Sequence, residues 1–196
     1  MGIELQDNIN STTTPVIKAQ KIGEVARVAL VRWEQRQMLK DNQPVINPKT
    51  GKPRNELIVH GLALDGFTAM VGKGDQQDIP APGTPCRFIL RGRGFGQWID
   101  ARKSHRNGKL CVGDVVSRVI DHAQAYDAQG TPKGGKITTQ AEADKLPRST
   151  TIGFYGELQL EQPTDEAWVQ RAEAAYHEWQ ETQRTQLPDD MDDEFA

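Results

Sequence analysis

The chain has 196 residues, 36% of them apolar, with 24 Lys and Arg against 27 Asp and Glu and a net charge of −3. That length suits one domain with appendages. No apolar run approaches the roughly 18 residues of a membrane span, and the start has neither a secretory leader nor a myristoylation signal, so a cytoplasmic protein is expected.

Residues 1–15 are polar, end in Thr12-Thr13-Thr14-Pro15, and are expected to form a flexible arm. A main domain is expected over 16–162. Its first strand runs from Gly23 to Gln37, where Val25, Ala29, Val31 and Trp33 mix with Val28 and Leu30, so both faces are apolar in the middle. Asn47 to Arg54 holds two prolines and a glycine and reads as a turn. Its bases Lys49, Lys52 and Arg54 sit at a loop tip. A second strand is expected from Glu56 to Leu64. Residues 72–85 are rich in Gly and Pro and read as loop. Cys86 to Arg91 is a third strand with alternating bases.

Gly92-Arg93-Gly94-Phe95-Gly96 is expected to break that strand, and Gln97 to Arg106 to form a short helix. A fourth strand opens at Val112-Gly113-Asp114 and continues to Tyr126. Gly130 to Gly135 is expected as turn. Thr139-Gln140-Ala141-Glu142 matches a capping box and predicts a helix to Leu146, stopped by Pro147. Thr151 to Leu160 is a fifth strand. A C-terminal helix is expected over 163–187, capped by Thr164, with Trp168, Ala172, Ala175 and Trp179 on one apolar face. Residues 188–196 form an acidic tail expected to be disordered. Cys86 and Cys111 lack Cys-x-x-Cys spacing and are expected as buried, reduced thiols, a disulfide being the alternative if the fold brings them together. Five glycine-punctuated strands with small helices inserted predict a mainly β fold, a five-stranded OB-like barrel; the alternative with the same strand count is a β-sandwich with extra helices.

The net charge hides a division. Residues 161–196 carry 11 acids and two bases, a balance of −9. The remaining 160 residues carry +6, and all of that excess lies in 87–109, which hold seven bases and Asp100. Such asymmetry points to a nucleic-acid surface with an acidic tail.

No catalytic motif competes with that reading. A phosphate-binding Gly-Lys-Ser/Thr loop and a Gly-x-Ser-x-Gly elbow are absent, and Gly92-Arg93-Gly94-Phe95-Gly96-Gln97 fails the dinucleotide fingerprint at its third glycine. His60, His105, His122 and His177 lack metal-pair spacing. No enzyme activity, cofactor or metal is expected.

The segment 87–109 interleaves bases with Phe88, Phe95, Trp98 and His105. Single-stranded nucleic acid needs both ingredients. Cations neutralise phosphates and release counterions, and aromatic faces stack bases without regard to sequence. Phe88 is expected in the core and Phe95 at the surface. The expected strand-binding set is Arg87, Arg91, Arg93, Phe95, Trp98, Arg102, Lys103, Arg106 and Lys109, with Lys49, Lys52, Arg54 and Trp33. Tyr126 is expected to extend the platform.

With its tail Asp189-Asp190-Met191-Asp192-Asp193-Glu194-Phe195-Ala196, the chain resembles single-stranded DNA-binding proteins of bacteria and their phages. Those pair a basic OB-fold body with an acidic tail ending in an aromatic residue. The resemblance implies a role in replication, recombination or repair. It also implies that Asp189, Asp190, Asp192, Asp193, Glu194 and Phe195 recruit replication or repair proteins and compete with DNA for the basic groove. In the bacterial members the Phe is last and follows Pro. Here Glu194 precedes it and Ala196 follows, which leans towards a phage-type variant. The alternatives are a non-enzymatic phage assembly or interaction protein and, less favoured, a nuclease using scattered acids. Oligomeric state is not legible.

Overall fold

The computed structural model describes residues 14–17, 20–71, 75–79, 82–147 and 149–186. Of the expected N-terminal arm only Thr14 and Pro15 fall within them, and the acidic tail lies outside. The protein is mainly β. The strands are β1 (Val16–Ile17), β2 (Val25–Gln37), β3 (Leu39–Lys40), β4 (Gln43–Pro44), β5 (Asn55–Ala63), β6 (Phe67–Val71), β7 (Asp75–Ile79), β8 (Pro85–Arg91), β9 (Val115–Tyr126), β10 (Pro132–Ile137) and β11 (Thr151–Glu161). The helices are α1 (Arg93–Ser104), α2 (Gln140–Asp144) and α3 (Glu166–Gln186).

Five strands frame the molecule, in the order β8-β5-β2-β9-β11, and every neighbouring pair is antiparallel. Among the described residues β8 and β11 do not pair with each other. Instead α1 stands between them: Trp98 enters the core, and Gln97 donates from Nε2 to the Gly156 carbonyl of β11 at 3.0 Å. The sheet thus curls around one core, filled by Val28 and Leu30 of β2, Leu57 and Val59 of β5, Phe88 and Leu90 of β8, Val116 of β9 and Leu158 of β11.

The mixed apolar pattern of β2 has a structural cause. Leu30 pairs with Gly61 and Arg32 with His60, so Val31 is an extra residue, a β-bulge. Before it, Ala26, Val28 and Leu30 face the core. After it the parity reverses, and Trp33 and Gln35 lie on the core side, opposite Val59 and Leu57. Arg32, Glu34 and Arg36 then face outward. Gly61 is required opposite the bulge, because a Cβ there would lie 2.6 Å from the Ala29 carbonyl oxygen. A second bulge, at Asp121, again faces a glycine: a Cβ on Gly156 would lie 2.0 Å from the Val119 oxygen.

Outside this frame, α3 covers the outer face. Ala172 is fully buried against Ala29, Val31 and Leu62, with Trp168, Ala175 and Tyr176 packed around them. Several expectations need correction. The loop expected over 72–85 contains β7, which pairs with β6; the polar run Asp75-Gln76-Gln77-Asp78 has no alternation to reveal it. The turn expected at 130–135 overlaps β10, which pairs with the end of β9. The glycines at 94 and 96 do not break the chain, because α1 begins at Arg93, and the break is Gly92 alone, at φ 50°. The helix cap expected of Thr164 is made by Asp165, whose Oδ1 accepts from Ala167 N at 2.9 Å. Cys86 is buried as expected, whereas Cys111 is exposed; both are free.

Candidate nucleic-acid interface

A groove opens where the core side of β2 meets α1. Its walls are Trp33 and Gln35 of β2, Leu57 of β5, Phe95, Ile99, Arg102 and Lys103 of α1, and Gly108 beyond it, with Trp98 at its base. Positions 95, 98, 99, 102 and 103 recur at three- and four-residue spacing, so one helix face supplies all five. Trp33 is 37% exposed. Its ring rests on that of Trp98 at 6.1 Å, and the Arg102 guanidinium lies 4.9 Å over it. An aromatic face and a cation therefore sit together at the surface, held from below. Lys103 is exposed beside them, near Asp100 at 3.7 Å.

Phe95, expected to be exposed, is half-buried. It packs on the core and lines a second, larger cleft with Arg54, Asn55, Arg91 and Gly92. Loop residues Asn47, Thr50 and Pro53 form the far wall. That loop is well braced. Asp41 and Asn42 take positive φ in the β3–β4 hairpin. Backbone bonds join Met38 N to Arg54 O and Arg54 N to Val45 O, both at 2.8 Å. Lys49, Lys52 and Arg54 are exposed on it. The two clefts share Phe95, so the cationic run continues from Arg102 and Lys103 to Arg54 and Arg91. Arg91 is bonded to Glu56 at 2.6 Å and remains half-exposed.

Other expected residues lie elsewhere. Trp98 is 2% exposed and belongs to the core, where it supports Trp33 rather than offering a face of its own. Arg87 lies on the outer side of β8, opposite His60, with its pKa lowered by burial. Arg106 is tied to buried Asp114 at 3.1 Å. Lys109 and Arg93 are exposed but line neither cleft. Tyr126 is not in the groove: its hydroxyl bonds that of Tyr155 on β9 and β11, and Tyr155 stacks on His122 at 5.3 Å. The Tyr155 hydroxyl is pushed up to about 12, chiefly by its bond to Tyr126.

Sequence reasoning missed Asp114. It is fully buried, and its Oδ2 accepts from Cys111 N at 2.8 Å and lies 2.9 Å from His105 Nε2. Together with Arg106 these contacts fix the turn that follows α1 and forms the end of the groove. The Gly-Asp corner before β9 was the visible signal. Among the described residues no group of His, Cys, Asp or Glu is placed to hold a metal ion, and no helix is long and apolar enough to cross a membrane. No family model, curated protein or solved structure matches the chain.

Proposed function

We propose that the protein binds single-stranded DNA without sequence preference, as a non-enzymatic factor in DNA replication, recombination or repair, such as a phage encodes. On this reading β2, β5, β8, β9 and β11 are the five strands of an OB-like barrel, with α1 filling the gap between β8 and β11. Barrels of that kind hold oligonucleotides on their second and third strands and on the loops beside them. The groove here adjoins β5, the end of β8 and the loop between β2 and β5.

The observation that carries the reading is the stack of Arg102 on exposed Trp33, in a groove whose remaining cations are Lys103, Arg54 and Arg91. Bases would stack on Trp33 and against the half-buried Phe95. Phosphates would meet the cations, with Lys49 and Lys52 extending the track. The acidic tail would serve partner proteins.

The experiment is a titration with oligo-dT that compares Trp33→Ala and Arg102→Ala with Trp179→Ala. Loss of the stacking face is expected to cost about 1–3 kcal/mol, or roughly 5- to 150-fold in affinity. Trp179→Ala, on the outer face, is expected to leave binding unchanged. Equal affinity for all three variants and the wild type would remove the groove from the account.

A further inference from the structure

The outer face of the sheet carries a row of buried polar side chains next to a cleft. Cross-strand pairing sets Arg32, His60 and Arg87 side by side on β2, β5 and β8. The side chains of Arg32 and His60 are each 9% exposed. Nε of Arg32, Nδ1 of His60 and Nε of Arg87 are all buried without a hydrogen-bond partner. Buried polar atoms left so are costly, and the two guanidinium donors of this row mark a place where an anion gains by meeting them, while the neutral His60 between them offers Nδ1 as an acceptor. The nearby carboxylate, Glu34, is already shared between Arg32 at 2.9 Å and His60 at 3.3 Å. Arg87 has no ion pair among the described residues; Glu34 and Glu56 act on it only through space, and each is already bonded to other cations.

Beside this row a cleft opens under α3, lined by Val31, Leu62, Pro85, Cys86, Ala175 and Trp179, with His60 at its polar end. Arg32 lies 4.8 Å over the Trp179 ring and joins the cationic row to the apolar cleft. Glu178 at the α3 rim is the acid in the lining, so carboxylates are favoured at the Arg32–Arg87 end and an apolar group beneath the helix. The matching ligand has an aromatic side chain next to several carboxylates.

We propose that this cleft docks the chain's own C-terminal segment, with Phe195 under α3 and Asp192, Asp193 and Glu194 against Arg32 and Arg87. The segment has the required composition: five acids, no base and a single aromatic residue in 189–196. The reach also fits. From Trp179 to Gln186 the helix advances about 10 Å, and the nine residues to 195 span up to about 30 Å when extended, enough to return along the helix. The cleft shares no lining residue with the groove. Tail docking and strand binding are therefore separate, in contrast to the competition that the resemblance implies.

The test uses the full chain carrying Cys111→Ser and Ala196→Cys, with a nitroxide on the new thiol; Cys86 is buried and its thiol is pushed up to about 12, which protects it from labelling. The expected result is loss of the NMR signals of Val31, Leu62, Cys86 and the Trp179 indole, reversed by high salt. Paired Arg32→Gln and Arg87→Gln changes are expected to restore those signals, and Arg102→Gln to leave them lost. Loss centred on Trp33, Phe95 and Lys103, or no loss anywhere, would overturn the proposal on the wild-type body alone. Loss seen only when labelled and isotope-enriched chains are mixed would assign the tail to a second copy and overturn docking within one chain.

Discussion

Trp33 and Trp98 divide between them a role that neither fills alone. Trp98 gives up its surface to fix the height and tilt of Trp33, and Trp33 stays open with Arg102 above it. Burial of the supporting ring limits the motion of the exposed one, so on the proposed reading less freedom would be lost when a base stacks. Asp114 acts likewise on the turn after α1, through His105, Arg106 and the Cys111 amide. The two thiols give a direct check on these environments. Cys111 is exposed, while Cys86 is 1% exposed and its thiol is pushed up by burial. A thiol reagent is expected to titrate one cysteine per native chain and two in denaturant; two fast-reacting thiols in the native protein would contradict the packing described.

At the scale of elements, the two bulges matter most. Each sits opposite a glycine whose missing side chain lets the partner strand's carbonyl approach. Gly61→Ala is expected to cost roughly 1–3 kcal/mol, the usual range for overpacking, read as a lower urea midpoint with an unchanged slope; an unshifted midpoint would show that the bulge can give. These bulges also explain what the sequence concealed. Strands β2, β5, β8, β9 and β11 were legible as runs of apolar and β-branched residues bounded by turn residues, and α3 because its apolar positions repeat at helical spacing. In β2 the bulge reverses parity at Val31, so alternation disappears although the strand is continuous. Strands β7 and β10 carry almost no apolar residues, and nothing local distinguishes them from loops. The groove was half legible: the base-rich segment 87–109 located α1. That Trp33 would meet Arg102, however, depends on the parity reversal at Val31, 71 residues before Arg102, which no local pattern encodes.

Across the whole molecule, charge is sorted by face. The groove carries Arg102, Lys103 and Arg54, whereas on the outer side of β2, β5 and β8 Glu56 binds Arg36 and the half-exposed Arg91, and Glu34 binds Arg32 and His60. These internal pairs make stability depend on pH. Glu34 is lowered from 4.5 to about 2, first by its hydrogen bond from His60 and further by Arg32. Burial lowers His60 from 6.5, with Glu34 opposing. Both directions agree with a neutral imidazole donating its Nε2–H to an ionised carboxylate. A base that unfolding lets protonate stabilises the fold above its ordinary value and loses that contribution as pH falls through it. The depressed carboxyl contributes above about 4.5 and is lost as pH falls towards about 2. The urea midpoint is therefore expected to fall from about pH 7 to about pH 5, and again below about pH 4.5, with His60→Gln flattening the upper branch. A midpoint that rises on acidification through this range would contradict the burial of His60.

The net charge of −3 is the sum of a basic body and an acidic C-terminal part, and strand binding requires the body's groove to attract phosphate despite that sum. The most direct measurement is the affinity of the full chain for oligo-dT, followed by tryptophan fluorescence at about 50 mM and about 200 mM salt. Neutralising about five phosphates, at a slope of about −0.7 each for a single strand, predicts quenching and a roughly 100-fold loss of affinity between the two conditions. Absence of quenching and of binding at the lower salt would contradict the central claim.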